Sequence, residues 1–280
     1  MKNTVLIALV SLVVFSTACK SEFEKVRSSG NVNRIYEKAL QYYENEDYQK
    51  AQTLFEIIIS SFRGKQEAEE IYFKYAYTYY HLQQYILASY YFNNFSNTYA
   101  TSDYRQEADF MAAYANYQLS PSFRLDQSYT RKAIDQLQLF VNTYPNSDKV
   151  QQCNQLIDAM RAKLELKAYK AAELYFDLRE YQAAIQSFEN VLKDFPDSRN
   201  VENIRYMVIR SAFLLAENSF VEKQFPRYKE AIDLAQEFLA RYDEDSRYQD
   251  EVQQMLDKSR DALNQLEDVR YQNEGSGVRS

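Results

Sequence analysis

Apolar residues recur at helical spacing through residues 32–118. Phe73, Tyr77 and Tyr80 fall at positions i, i+4 and i+7, which line up on one face of an α-helix. The same pattern returns at an offset of 37 residues, and its members are Tyr36, Phe73 and Phe110; Ala39, Ala76 and Ala113; Leu40, Tyr77 and Tyr114; and Tyr43, Tyr80 and Tyr117. A period of 20 to 50 residues indicates an array of stacked repeats. We therefore predict helix-turn-helix units that bury their faces against their neighbours.

Further along, a second register appears at an offset of 51 residues. Its helices both end in the same kind of stop, Tyr144-Pro145-Asn146-Ser147 and Phe195-Pro196-Asp197-Ser198, because proline cannot continue a helix. The residues by which this 51-residue period exceeds the 37-residue period lie within 150–179. We interpret residues 150–179 as one long helix joining two halves of the array. A polar insertion, 120–127, lengthens the loop of the third repeat. The pattern predicts an all-α solenoid of about five repeats, with a capping helix over residues 248–269.

The start of the chain has the features of an export signal. Lys2 precedes an apolar run from Val5 to Phe15, which is too short to span a membrane as a helix. The next residues, Ser16-Thr17-Ala18-Cys19, resemble the lipobox of bacterial lipoproteins, and this resemblance implies cleavage before Cys19 and acylation of that cysteine. The alternative is an ordinary cleavable signal followed by an incidental cysteine.

These observations divide the chain into four parts. The predicted parts are a signal peptide (1–18), a flexible tether from the lipidated Cys19 (19–31), the solenoid (32–268, with an N-terminal half of about 32–148 and a C-terminal half of about 149–268) and a disordered tail (269–280).

Composition narrows the function. A net charge of −7 argues against nucleic-acid binding, which needs clustered Lys and Arg. Only 4 Gly and 4 Pro argue against a turn-rich β protein. Cys153 lies on an apolar helical stripe, so a buried core position is favoured over a nucleophile. His81 is the one histidine, and we interpret it as a helix-end residue. Since no poised acid, base or set of convergent ligands is visible, we expect neither an enzyme nor a metal site.

The repeat units are similar to tetratricopeptide repeats (TPRs). Ala172, Tyr181, Ala184, Phe188 and Pro196 of the fourth repeat fit that pattern best.

Together with the lipobox and the insertion, the repeats resemble the BamD family of Gram-negative outer-membrane assembly lipoproteins. That resemblance implies a non-catalytic scaffold, lipid-anchored on the periplasmic face of the outer membrane, with no cofactor beyond the lipid on Cys19. It also implies two partners, the POTRA region of a BamA-like barrel protein and unfolded outer-membrane protein precursors. Another periplasmic TPR lipoprotein, serving envelope constriction or wall synthesis, remains the alternative.

The first helices of the repeats carry an aromatic stripe beside their alanine stripe. We hypothesise that this stripe lines a groove that binds precursor peptides, because tyrosine is rigid and apolar along its body and polar at its tip. The alternative is that these side chains form the core between repeats. The candidate groove residues are Tyr36, Tyr43, Phe73, Tyr77, Tyr80, Phe110, Tyr114 and Tyr117.

Overall fold

The computed structural model of the chain describes residues 21–242 and 245–276, and across these residues all regular secondary structure is helical. The predicted all-α class is therefore confirmed. The α-helices are α1 (Glu22–Arg27), α2 (Val32–Glu44), α3 (Tyr48–Ile58), α4 (Ala68–His81), α5 (Tyr85–Thr98), α6 (Arg105–Gln118), α7 (Ser128–Thr143), α8 (Val150–Asp177), α9 (Tyr181–Asp194), α10 (Val201–Glu217), α11 (Val221–Arg241) and α12 (Gln249–Ser276). A 3₁₀ turn, Ile59–Phe62, follows α3.

In the part of the chain that the structure describes, the repeats are five helix pairs: α2 with α3, α4 with α5, α6 with α7, α8 with α9, and α10 with α11. Alanines lie where the helix axes approach, and Ala76 and Ala88 are both fully buried. Phe92 fills the space one turn beyond Ala88 and is also fully buried. Burying one such phenylalanine contributes about 2–3 kcal/mol. The repeat pattern in the sequence is thus a packing pattern.

The turn inside a repeat is built in the same way three times. Glu46, Gln83 and Arg179 adopt the left-handed conformation, with φ of 60°, 58° and 62°. In each case the next backbone N–H donates to a carbonyl five residues back along the first helix, at 2.8 to 2.9 Å. This arrangement ends the helix and reverses the chain. None of the three is glycine, so each turn carries backbone strain.

The chain divides into two compact units. The first comprises residues up to 121 together with 126–158, and the second comprises 122–125 together with 159 onward. The division falls within α8, ten residues beyond the boundary predicted at 148/149. The predicted long helix is present, and its 28 residues contribute to both units. In the second unit the core includes Phe188, Ile204 and Phe238.

The structure corrects the two ends of the predicted layout. The sequence predicts a flexible tether over residues 19–31, but Glu22–Arg27 is helical and its Val26 is 1% exposed. The sequence also predicts a disordered tail over residues 269–280. This prediction is wrong for residues 269–276, because α12 continues to Ser276. The predicted signal peptide (1–18) and Cys19 lie outside the described residues.

Candidate functional site: an aromatic surface on the first unit

All eight predicted groove residues lie in the first unit, on α2, α4 and α6. Phe110 is 4% exposed and packs on Phe140 with ring centroids 5.7 Å apart, so it belongs to the core and cannot line a groove. The other seven side chains are half-buried. Their neighbours separate them into two groups.

The first group holds consecutive repeats together. The Tyr36 hydroxyl donates to Glu70 Oε2 at 3.2 Å, and the Tyr77 hydroxyl donates to Glu107 Oε1 at 2.8 Å. In both pairs the carboxylate belongs to the first helix of the next repeat. Burial, followed by the charge of Glu70, raises the pKa of Tyr36 to about 12.

Phe73 has the same structural role, since its ring stacks on Tyr104 at 4.7 Å and contacts Phe95 at 5.3 Å. For Tyr36, Phe73, Tyr77 and Phe110 the structure therefore favours the inter-repeat core over the groove.

The second group lies in the last two turns of the first helices. Tyr43, Tyr80, Tyr114 and Tyr117 are joined there by three rings outside the predicted set, those of Tyr48, His81 and Tyr85. We call these seven residues the aromatic ledge. Its centroid distances are Tyr48–His81 4.0 Å, Tyr43–Tyr48 5.6 Å, Tyr43–His81 6.4 Å, Tyr80–His81 5.8 Å, Tyr80–Tyr85 5.5 Å, Tyr80–Tyr114 6.1 Å and Tyr114–Tyr117 5.6 Å. The ledge runs unbroken across three repeats.

A sequence signal for the added rings was available. Tyr48 and Tyr85 are 37 residues apart, and each is the first residue of the second helix of its repeat. Each therefore lies just across the turn from the aromatic residues at the end of the first helix. His81 is the last residue of α4 and stacks nearly parallel on Tyr48, with 4° between the rings. Burial lowers the pKa of His81, which keeps its imidazole neutral at pH 7. His81 therefore acts as a flat ring and not as a cation at the helix end.

The ledge offers stacking faces and few charges. Lys74 Nζ lies 4.7 Å above the Tyr43 ring, and burial raises the pKa of Tyr43 to about 12, so its hydroxyl stays neutral. Within the described residues no group of three or more His, Cys, Asp or Glu side chains could hold a metal ion. Cys153 is fully buried, and burial raises the pKa of its thiol.

A second surface of interest lies on the second unit. Tyr169 contacts Asn203, and Phe176 contacts Arg210, so α8 and α10 run parallel with a shift of 34 residues. Exposed apolar side chains occur at the C-terminal end of α8 and at the start of α11, and we call them the apolar edge: Leu174, Tyr175, Leu178, Phe220 and Val221, exposed by 57, 43, 61, 81 and 63%.

Paired helices stacked in this way define a helical-repeat protein of the tetratricopeptide type, a class that binds other proteins on its surfaces. Residues 28–219 match the family model YfiO, described as outer membrane lipoprotein. The chain belongs to this family, and it is thereby associated with the outer membrane. Within the described residues, no helix has both the length and the apolar content needed to cross a membrane.

A named relative agrees with this assignment. The chain is 24% identical over 235 residues to the putative outer membrane protein assembly factor BamD of Aquifex aeolicus (strain VF5), covering 83% of this chain and 76% of that protein. Among solved structures it is similar to the TPR domain of P58(IPK), with 16% identity and a TM-score of 0.39 over 84% of this chain and 66% of that one. It is also similar to TTC0263, a TPR protein of Thermus thermophilus, with 15% identity and a TM-score of 0.31 over 75% and 98% of the two chains.

Proposed function

We propose that this protein is a non-catalytic scaffold for the assembly of β-barrel proteins in the outer membrane. In this proposal the aromatic ledge receives unfolded barrel precursors, and the second unit binds the POTRA region of a BamA-like partner. The family and the name of the Aquifex relative support an assembly role. The observation that carries the proposal is the continuous row of rings across three repeats.

The ledge matches the chemistry of a barrel strand. Side chains on one face of an extended chain recur about every 7 Å, and transmembrane barrel strands alternate apolar and polar residues with that period. Neighbouring ledge rings are 4.0 to 6.4 Å apart, which is closer than this 7 Å spacing, so each apolar side chain of an extended precursor lying along the row can contact at least one ring. Each aromatic pair contributes about 0.5–1.5 kcal/mol beyond its buried area. Binding of this kind selects alternating apolar sequence without selecting one particular sequence.

The second unit supplies a different kind of surface. The five side chains of the apolar edge are aliphatic or aromatic, and Phe220 is 81% exposed. A folded partner domain that covered Phe220 would gain an aromatic anchor, the residue type on which interface energies concentrate. We assign this edge to the POTRA partner.

The lipid on Cys19 completes the proposal. It would hold the protein on the periplasmic face of the outer membrane, next to both partners, because acyl chains contribute about 0.8 kcal/mol per buried CH₂ and two or more give durable anchoring.

Partner identity can be tested by isolating the native complex. The tagged, lipidated protein would be extracted from its own outer membrane in mild detergent, and co-purifying proteins identified by mass spectrometry. We expect a POTRA-containing barrel protein near one-to-one. Recovery of wall-synthesis or constriction proteins without such a barrel would overturn the assembly role and support the alternative scaffold.

The ledge has its own test. Photo-crosslinking of a barrel-strand peptide should drop at least about tenfold in a Tyr80→Ala/Tyr114→Ala variant, corresponding to the loss of two aromatic contacts of about 0.7 kcal/mol or more each. The matched control is Tyr36→Phe, which changes a tyrosine of the same helical stripe outside the ledge. Equal crosslinking in all three proteins would refute the role of the ledge.

A further inference from the structure

The N-terminal helix α1 is docked on the first repeat. Val26 is 1% exposed, and the Phe23 ring meets the Tyr42 ring edge-on at 5.9 Å. Lys38 Nζ donates to Glu22 Oε1 at 2.7 Å. A six-residue helix does not persist alone in water, so these contacts to α2 are what hold it.

Side-chain hydrogen bonds cap the start of α1 and the start of α2. The Ser21 side chain caps the first turn by accepting from the Glu24 N–H at 3.3 Å. After α1 the chain turns through Gly30, which has a φ of +66°. Asn31 then caps α2 by accepting from the Arg34 N–H at 3.0 Å. Residues 21–31 are therefore an ordered segment, and the connection between α1 and α2 is a short, hydrogen-bonded turn.

This arrangement limits how far the first repeat can lie from the lipid anchor. If Cys19 is acylated, as the proposed function requires, only Lys20 separates it from the helix cap at Ser21, and these two Cα–Cα steps span at most about 7 Å. A flexible tether over residues 19–31 would instead have a root-mean-square length of about 20 Å.

We propose that α1 is a rigid spacer that holds the first repeat against the lipid surface. The occupant of this surface is the headgroup layer of the membrane that carries the anchor. The side chains brought closest to it are Glu22, Phe23 and the adjoining part of α2 around Lys38 and Tyr42. The first unit is then a fixed platform at the bilayer, and the aromatic ledge of that unit is held within reach of the place where precursors insert.

The sequence offers a clean reporter, because the chain contains no tryptophan. A single tryptophan would be introduced as Gln41→Trp, at an exposed position of α2. The full-length lipidated protein would be reconstituted in phosphatidylethanolamine/phosphatidylglycerol vesicles containing a dansyl-labelled lipid. Energy transfer from the tryptophan to the dansyl group then measures how closely the first repeat approaches the membrane.

Three changes are compared on this background. Ten Gly/Ser residues inserted between Lys20 and Ser21 add about 17 Å of flexible chain and should lower transfer at least about twofold. Val26→Asn removes the buried contact of α1 and should lower transfer in the same direction. The matched control, Lys25→Asn, places the same residue at an exposed position of α1 and should leave transfer unchanged.

Two outcomes would overturn the proposal separately. If mass spectrometry shows that Cys19 is acylated but the insertion leaves energy transfer unchanged, α1 is not a spacer. The lipid anchoring and the scaffold function are then unaffected. If Cys19 carries no lipid, the anchoring fails and the spacer fails with it.

Discussion

The hydrogen bond from Tyr77 to Glu107 joins the second repeat to the third, and its contribution to the free energy of unfolding can be measured. Replacing Tyr77 with Phe removes only the hydroxyl and keeps the ring, which packs on Phe92 at 4.9 Å. A hydrogen bond to a charged group contributes about 1.5–3 kcal/mol. The Glu107 side chain is 34% exposed and also pairs with Lys149 at 3.3 Å, so we place the contribution of this bond at or just below the lower limit of that range, about 1–1.5 kcal/mol.

The measurement is urea unfolding of four proteins, the native chain, Tyr77→Phe, Glu107→Gln and the double variant. Glu107→Gln also breaks the Lys149 pair, and the cycle removes that contribution from the coupling between Tyr77 and Glu107. The control is Tyr114→Phe, a ledge residue whose hydroxyl has no hydrogen bond to any described residue. A coupling energy below about 0.3 kcal/mol would refute the view that this hydroxyl joins the repeats.

Three further predictions concern stability. The folded state raises the pKa of Tyr36 and Tyr43 to about 12, so it holds these protons more tightly than the unfolded chain does, and the free energy of unfolding should fall as the pH rises from about 10 to 12; a flat profile in urea melts would contradict this. Arg179→Gly should raise the free energy of unfolding by up to about 1 kcal/mol by relieving the left-handed turn, and a gain of equal size in Arg179→Ala would exclude that cause. Phe92→Ala should lower the free energy of unfolding by about 3–5 kcal/mol, because it leaves a cavity at a fully buried position. A loss below about 1 kcal/mol would mean that the repeat core closes around the cavity.

The repeat architecture followed from the sequence because packing constrains both residue size and spacing. Only a small residue fits where two helix axes approach, and the alanines at 37-residue intervals mark those points along the chain. The long helix α8 was equally readable, since residues 150–177 contain neither proline nor glycine. What the sequence reading missed was α1, because its only apolar residues, Phe23 and Val26, form a single i, i+3 pair that is too short to establish a helical period.

The candidate site was predicted only in part, and the reason is physical. Core and surface tyrosines repeat with the same 37-residue period, because each repeat uses the same helix face for both purposes. What separates them is the partner of the hydroxyl: Tyr36 and Tyr77 find a carboxylate on the next repeat, in each case 30 to 34 residues further along the chain. Tyr80 occupies the helix end, where its ring meets rings from the turn.

Position along the helix alone does not decide the role, because Tyr77 and Tyr114 occupy equivalent positions of α4 and α6 and only Tyr77 is assigned to the inter-repeat core, through its hydrogen bond to Glu107 of the next repeat. A tyrosine that packs against a carboxylate of the next repeat has its polar tip satisfied inside the protein. A side chain in the last turn reaches the open end of the repeat, where water can satisfy the hydroxyl and a ring face stays available. Because consecutive repeats end their first helices at equivalent positions, such rings accumulate along one edge. A stack of repeats with aromatic last turns thereby builds an extended binding surface that no single repeat contains.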